Sequence, residues 1–410
     1  MKKFILAVPA LLALAAVSCT KSEVLETNSG EIRFNVVANN ATKAAAIYDN
    51  NNFTEFTVYA ATSEDPATYI DGDLIKKENG AWVNKSGTRF WPVAALDFYA
   101  LRNADGFEFT PGVTPSFDFT VESAVAQQKD LLYAVKLNQS RSTSVTGSGS
   151  EAPVVEGTPV TLNFRHALSQ IVFQAKNTNK NLYAEISGVK IVNVIGNGKY
   201  TVSKSDTDAI KVVSGDNAGG STDPVNDGSR GTWDLSSIVS DYNESYELDF
   251  STAYELDGNS EVVALDGGNA TASAMMLIPQ DPEPWDPETF PAPAAEGQTG
   301  SYFLVNCVIW NVADPDNGHS ADDLVIWGEK DGDAYTATPA EVAIPVDIAW
   351  KEGFKYVYTF VFGEGAGYDP EPEPGEDPKP AIIPISFTVS VDDFNVVSGG
   401  DYDVDLEPGA

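Results

Sequence analysis

Chemistry in this chain would have to start from its two histidines, its acidic clusters or its single internal cysteine. His166 lies in the apolar stretch 162–176 (LNFRHALSQIVFQAK), and His319 lies in the polar stretch 314–323 (DPDNGHSADD), over 150 residues away. No cysteine or second histidine lies at metal-ligand spacing from either one. No serine sits in a nucleophile elbow. His166 is therefore expected to be a framework group, a semi-buried ring whose nitrogens meet backbone groups at a bend between Phe164 and Ile171. The DPDNG opening resembles a calcium loop, in which hard carboxylate oxygens surround the ion and glycine permits a sharp turn. Asp314 and Asp316 are its weak calcium candidates. The loop lacks a third ligand before Gly318 and a closing glutamate, and a solvated turn is the competing expectation.

Paired carboxylates for glycoside hydrolysis cannot be singled out among 60 acidic residues. Gly147–Gly149 precedes no helix signal, so it offers no phosphate cradle. Trp233 and Trp285 sit among polar or proline-rich residues and are the candidates for an exposed sugar-stacking surface. Trp82, Trp91, Trp310 and Trp350 read as core. Cys307, inside the apolar run 302–310 (YFLVNCVIW), reads as a buried thiol. No catalytic residue, cofactor or enzymatic activity is expected.

The elements that must carry these residues have the period of strands. Residues 31–37 (EIRFNVV), 53–60 (FTEFTVYA), 96–101 (LDFYAL), 355–362 (KYVYTFVF) and 385–391 (ISFTVSV) alternate and are rich in β-branched and aromatic types. Clusters of Gly, Asn, Asp and Pro separate them. No long stretch has a 3.6-residue apolar period; 124–128 is a short helix at most. With 42% hydrophobic residues, the chain has enough apolar side chains for sizeable cores. These features predict an all-β protein of sandwich type. The formal net charge of −35 argues against nucleic acid and anionic membrane surfaces as partners.

The first residues read as an export signal. Lys2 and Lys3 precede an apolar run, 4–17, too short to span a bilayer, and the run ends in Ala-Val-Ser before Cys19. That matches a bacterial lipobox, apart from Ala in place of the usual Leu three positions before the cysteine. A lipobox predicts cleavage before Cys19 and a lipid on its sulfur. The expected organisation is a lipoprotein signal peptide at 1–18, a tether at 19–30, sandwich domains at 31–150 and 151–368, a proline- and acid-rich spacer at 369–381, and a last strand with its tail at 382–410. The first domain boundary rests on the Ser/Thr/Gly/Pro-rich stretch 140–159.

Several stretches, in order, resemble the fimbrillin-like family of Bacteroides-type bacteria, the pilins and accessory proteins of donor-strand-assembled pili. They are the lipobox with its tether and a strand ending near 41–44 (ATKA), 90–100 (FWPVAALDFYA), 130–134 (DLLYA), 164–168 (FRHAL), 276–280 (MLIPQ), 351–360 (KEGFKYVYTF) and 385–394 (ISFTVSVDDF). The resemblance implies two tandem Greek-key β-sandwich domains and a structural role. It implies a stalk, anchor or tip subunit of cell-surface fimbriae that mediates adhesion and is anchored to the outer membrane through lipid on Cys19. Its partners would be other fimbrial subunits, joined by strand exchange, with host or bacterial surface glycans or proteins as further partners. The alternative is a glycan-binding surface lipoprotein outside any pilus.

In the polymerising members a protease cuts beyond the first strand, and a neighbour's strand fills the vacated groove. Carried over to this chain, the displaced strand would hold Ile32, Phe34 and Val36. The cut would follow Lys43, where relatives often carry Arg, and Arg33, inside the strand, is the poorer site. The donor would be the last strand, with Ile385, Phe387, Val389 and Val391 on one face. The same segment fits equally well as the last strand of its own domain.

Overall fold

The structure is a computed structural model. It describes residues 27–37, 53–141, 159–207, 230–236, 244–258, 260–268, 273–290, 300–332, 334–370 and 380–393. Among these the chain is all-β, as its periodicity predicts, and Val125–Gln127 makes a 3-10 turn. No helix among the described residues is long and apolar enough to cross a membrane.

The first body is formed by β1 (Thr27–Glu31), β2 (Phe34–Val37), β3 (Glu55–Thr62), β4 (Thr68–Glu78), β5 (Ala81–Asn84), β6 (Phe90–Pro92), β7 (Leu96–Arg102), β8 (Ser116–Thr120), β9 (Leu132–Gln139), β10 (Val160–Asn163) and β11 (Arg165–His166). Six of these make an antiparallel sheet in the order β11-β9-β7-β3-β4-β5. The two-residue side-chain period sends Phe56, Val58, Phe98, Ala100 and Ala134 into one core. That core is completed by Ile32, Phe34, Val160, Leu162 and Phe164. The opposite face carries Leu101, Tyr133 and Val135, which belong to a second, larger core. Alternation along one strand thus feeds two apolar layers.

The rest of the chain gives β12 (Ser169–Asn177), β13 (Leu182–Val194), β14 (Asn197–Thr201), β15 (Thr232–Asp234), β16 (Glu244–Leu256), β17 (Val263–Ala264), β18 (Met275–Leu277), β19 (Tyr302–Asn311), β20 (Leu324–Trp327), β21 (Glu329–Lys330), β22 (Ala337–Thr338), β23 (Ala340–Pro345), β24 (Phe354–Tyr368) and β25 (Pro380–Asp393). A ten-stranded sheet runs β16-β13-β19-β23-β24-β12-β17, with β18 on β12, β20 on β19 and β25 on β24. Strands β23 and β24 meet only at Ala343 and Tyr368, and there the sheet folds over itself. Phe303 of β19 consequently faces Phe173 of β12, Tyr358 and Phe360 of β24 and Phe387 of β25, with ring centroids 4.9–5.5 Å away. A three-stranded sheet, β15-β14-β8, ties the two bodies together.

Stretch 162–176, which the expected boundaries put wholly in the second domain, is shared between the two bodies. It divides into β10 and β11, which complete the first body, and β12, which starts the second. The first body therefore extends past the composition break at 150. Phe164 lies 4.7 Å from the Phe53 ring and 5.1 Å from that of Phe56, which holds this return segment on the first core.

Cys307 has no exposed surface and points into the large core. Burial alone pushes its thiol far above the ordinary cysteine range. Alkylation of the native protein followed by peptide mapping should leave Cys307 unlabelled, and labelling should appear only with denaturant. Rapid native labelling would contradict this placement.

Candidate functional site

The amino-terminal chain lies across the first core in two steps. Strand β1 runs antiparallel to β6, with Glu31 opposite Phe90, and the Ile32 N–H donates to the Arg89 carbonyl at 2.8 Å. The chain then changes partner. The Val160 N–H donates to the Arg33 carbonyl at 2.7 Å, and β2 continues parallel to β10, with Phe34 opposite Val160 and Val36 opposite Leu162. Residues 31–37 are therefore not one continuous strand; the break at 32–33 is where pairing passes from β6 to β10. Arg33 sits in that break, exposed and 3.0 Å from Glu31, not within a strand.

Ile32, Phe34 and Val36 nonetheless share one face. Ile32 and Phe34 are buried in the first core, and Val36 packs half-buried against it. The Phe34 ring stands edge-on to Phe98 at 5.8 Å and to Phe56 at 6.2 Å. Full burial of such a side chain contributes about 1.5–3 kcal/mol. Ile32 from the break and Phe34 and Val36 from the short strand β2, which is paired on one edge among the described residues, form a plug over an aromatic groove.

At the other end of the chain, β25 pairs antiparallel with β24 from Phe354 opposite Asp393 to Phe362 opposite Ile385. It is folded against its own chain. Ile385 is fully buried, and Phe387 is half-buried with its ring 5.5 Å from Phe303 and 5.8 Å from Tyr358. Val389 is 46% exposed although it stands opposite Tyr358, and Val391 occupies the register position opposite Tyr356. Cover over this face thins along the strand. Cys19, Lys43, residues 371–379 and the tail beyond 393 lie outside the described residues.

The residues singled out for chemistry are used in packing. His166 does not meet backbone groups through Nδ1: that atom lies 2.6 Å from Oδ2 of Asp130, and both residues are buried. No solvent reaches this pair, so it has no route to a substrate. In the acidic loop, Asp314 Oδ1 accepts from the Asp316 N–H and Oδ2 from Asn317 Nδ2. The organising carboxylate is Asp323, which accepts N–H groups from Ala313 and Ser320 and lies 2.8 Å from His319 Nδ1. Burial raises its pKa, but those donors and His319 outweigh it and hold the group below the usual carboxylate value. His319 in turn stacks on Tyr183 at 3.9 Å. Among the described residues no three His, Cys, Asp or Glu side chains are grouped to hold a metal.

Trp285 is not exposed. It is 99% buried, donates Nε1–H to the Phe290 carbonyl and packs edge-on to Tyr368 at 5.3 Å. Its proline-rich segment folds back through Pro284 and Ser301 and seals the outer face of β19. Trp233 is half-buried, with Nε1 donating to Ala167 at 2.8 Å and its ring against Tyr200. Trp285 thus offers no face to a sugar, and Trp233 is held in the junction between the bodies.

The fimbrillin-like family model matches residues 38–374, most of the chain, and the chain belongs to that family. Membership makes it a fimbrial-type adhesion protein of the cell surface. The matched span stops short of β2 at one end and β25 at the other. Similar solved structures include a fimbrial protein from Bacteroides vulgatus ATCC 8482, 14% identical over 88% of this chain and 98% of that one, with a TM-score of 0.48. Another is a fimbrilin from Porphyromonas gingivalis W83, 11% identical over 92% of this chain and all of the other, with a TM-score of 0.41. No protein of curated function matches the chain.

Proposed function

We propose that this protein is a subunit or accessory protein of cell-surface fimbriae, lipid-anchored through Cys19 and assembled by β-strand donation. The observation that carries this reading is the amino-terminal plug. Ile32, Phe34 and Val36 fill a groove lined by Phe56, Trp91, Phe98 and Leu162, and their strand is held by β10 on one edge. A cut after Lys43 would separate the plug from the body and free the β10 edge together with an aromatic groove. An extended strand with apolar residues at alternate positions would satisfy both the hydrogen-bonding edge and the pockets.

Strand β25 has that pattern in Ile385, Phe387, Val389 and Val391, and it follows the proline- and acid-rich stretch 369–381. To be donated it would have to leave β24, and Ile385 would lose its burial in the parent core. A neighbour's groove would compensate that loss.

Amino-terminal sequencing of protein sheared from cells tests the reading. Assembled material is expected to begin at Ala44, whereas lipidated Cys19 in every sheared molecule would rule out processing. In parallel, a chain beginning at Ala44 should bind a synthetic peptide of residues 382–394, and a Phe387→Asp peptide should bind at least tenfold more weakly. Equal binding by the two peptides would remove the donor role from β25.

A further inference from the structure

Where the two bodies meet, a carboxyl group is buried with no role in strand exchange. Glu352 lies in the turn that leads into β24, with 7% of its surface exposed. Its Oε1 accepts from the Tyr133 hydroxyl of β9 at 2.6 Å and its Oε2 from the Tyr200 hydroxyl of β14 at 3.2 Å. Tyr133 and Tyr200 have no exposed surface. The Gly231 N–H donates to the Tyr133 oxygen at 3.2 Å, and Arg230 Nη1 donates to the Glu352 backbone carbonyl at 3.0 Å. The turn is also clamped to the crossover between the sheets. The Gly353 N–H donates to the Leu168 carbonyl and the Ser169 hydroxyl to the Lys351 carbonyl, both at 2.9 Å. One side chain therefore joins the six-stranded sheet, the ten-stranded sheet and the three-stranded sheet between them.

We propose that this cluster is a proton-operated latch between the two bodies, closed while Glu352 is protonated and loosened when it ionises. A neutral acid in this cage has no charge to desolvate; its carbonyl oxygen accepts from one phenol, and its hydroxyl donates to the oxygen of the other. An ionised one accepts from both phenols but places a full negative charge in a buried site. The ionisable groups facing it are Tyr133, Tyr200 and Arg230. Lys351 flanks it in sequence, and His166, paired with Asp130 from the segment before β9, adjoins the crossover into β12.

Burial pushes the Glu352 carboxyl up to about 7, against the opposing pull of the Tyr133 hydrogen bond, the Arg230 charge and the Tyr200 hydrogen bond. Burial and the same carboxylate push both tyrosines upward, so they stay protonated throughout. In an opened junction the carboxyl is hydrated and returns to its ordinary value of 4.5. The closed form then binds more protons between these two values. Its advantage is complete below the lower value and is lost as pH rises through the higher one. Between pH 5.5 and 8.0 the opening equilibrium should increase roughly 30-fold.

Hydrogen exchange on the full chain, corrected for the intrinsic effect of pH, reads this opening at the Gly231 and Gly353 amides. The expected result is roughly 30-fold less protection at pH 8.0 than at pH 5.5. Glu352→Gln should keep protection high and equal at both pH values. Tyr200→Phe removes a donor to the carboxylate and should move the midpoint to higher pH. Equal protection of the unmodified chain at the two pH values would overturn the latch. So would a pH dependence that survives Glu352→Gln, or a midpoint unmoved by Tyr200→Phe.

Discussion

Replacing Phe303 by alanine should lower the unfolding free energy of the second body by about 3–5 kcal/mol. Phe303 is fully buried and lies between the two layers of the folded ten-stranded sheet, touching aromatic rings from β12, β24 and β25. Truncation loses the transfer free energy of the ring and leaves a cavity whose walls are anchored in three different strands. Such a site collapses poorly, so the upper part of the range is expected. Because Phe387 is one of those walls, the variant should also loosen β25, with faster amide exchange along 385–390 than in the parent. Phe90→Ala is the control: Phe90 is 45% exposed, and its removal should change stability by no more than about 0.5 kcal/mol. Denaturant unfolding of both variants, followed by tryptophan fluorescence, gives the comparison. A Phe303→Ala midpoint matching that of Phe90→Ala would mean that the two layers do not meet at this ring.

The run around Phe303 also indicates what periodicity can and cannot tell. YFLVNCVIW has no alternation, and the reason is burial on both faces. Phe303, Val305, Cys307 and Ile309 enter the main core, Tyr302 and Leu304 lie under the Trp285 segment, and Val308 and Trp310 pack with Tyr183 and Val325. A continuous apolar run is the normal mark of such a strand. The all-β class and the inward face of Ile32, Phe34 and Val36 were legible because side-chain period is a local property. Partner choice is not local. Strand β2 pairs with β10, which follows it by more than 120 residues, and no pattern within 31–37 announces the change of partner at Ile32. Trp285 was misread because its neighbours are polar and proline-rich; the segment is covered by folding back on β19, which its composition does not encode. In β25 the alternation is the same whether the strand is kept or donated.

Replacing His166 by alanine should lower stability by about 3 kcal/mol, the upper end of the range for leaving a buried polar group without its partner. The side chain lies on β11, between the sheet it completes and the crossover into β12. It supplies the hydrogen-bond partner of the Asp130 carboxyl, whose other oxygen, Oδ1, is buried without one. Without the imidazole, both oxygens of the Asp130 carboxyl are buried with no hydrogen-bond partner, which opposes folding. Asp130→Asn in the parent should be milder, about 1–3 kcal/mol, because the amide oxygen can still accept from the ring. The double variant decides between a paired and an independent role. If the penalty of His166→Ala is that of a stranded carboxylate, adding Asp130→Asn should recover part of it, giving a coupling energy of at least about 1 kcal/mol. Strictly additive losses in denaturant unfolding would assign His166 to packing alone. Recovery would mean that the histidine in FRHAL and the aspartate in DLLYA act as one unit, holding the crossover to the turn before β9. This would give the only histidine in the apolar framework a structural task in the connection between the two bodies.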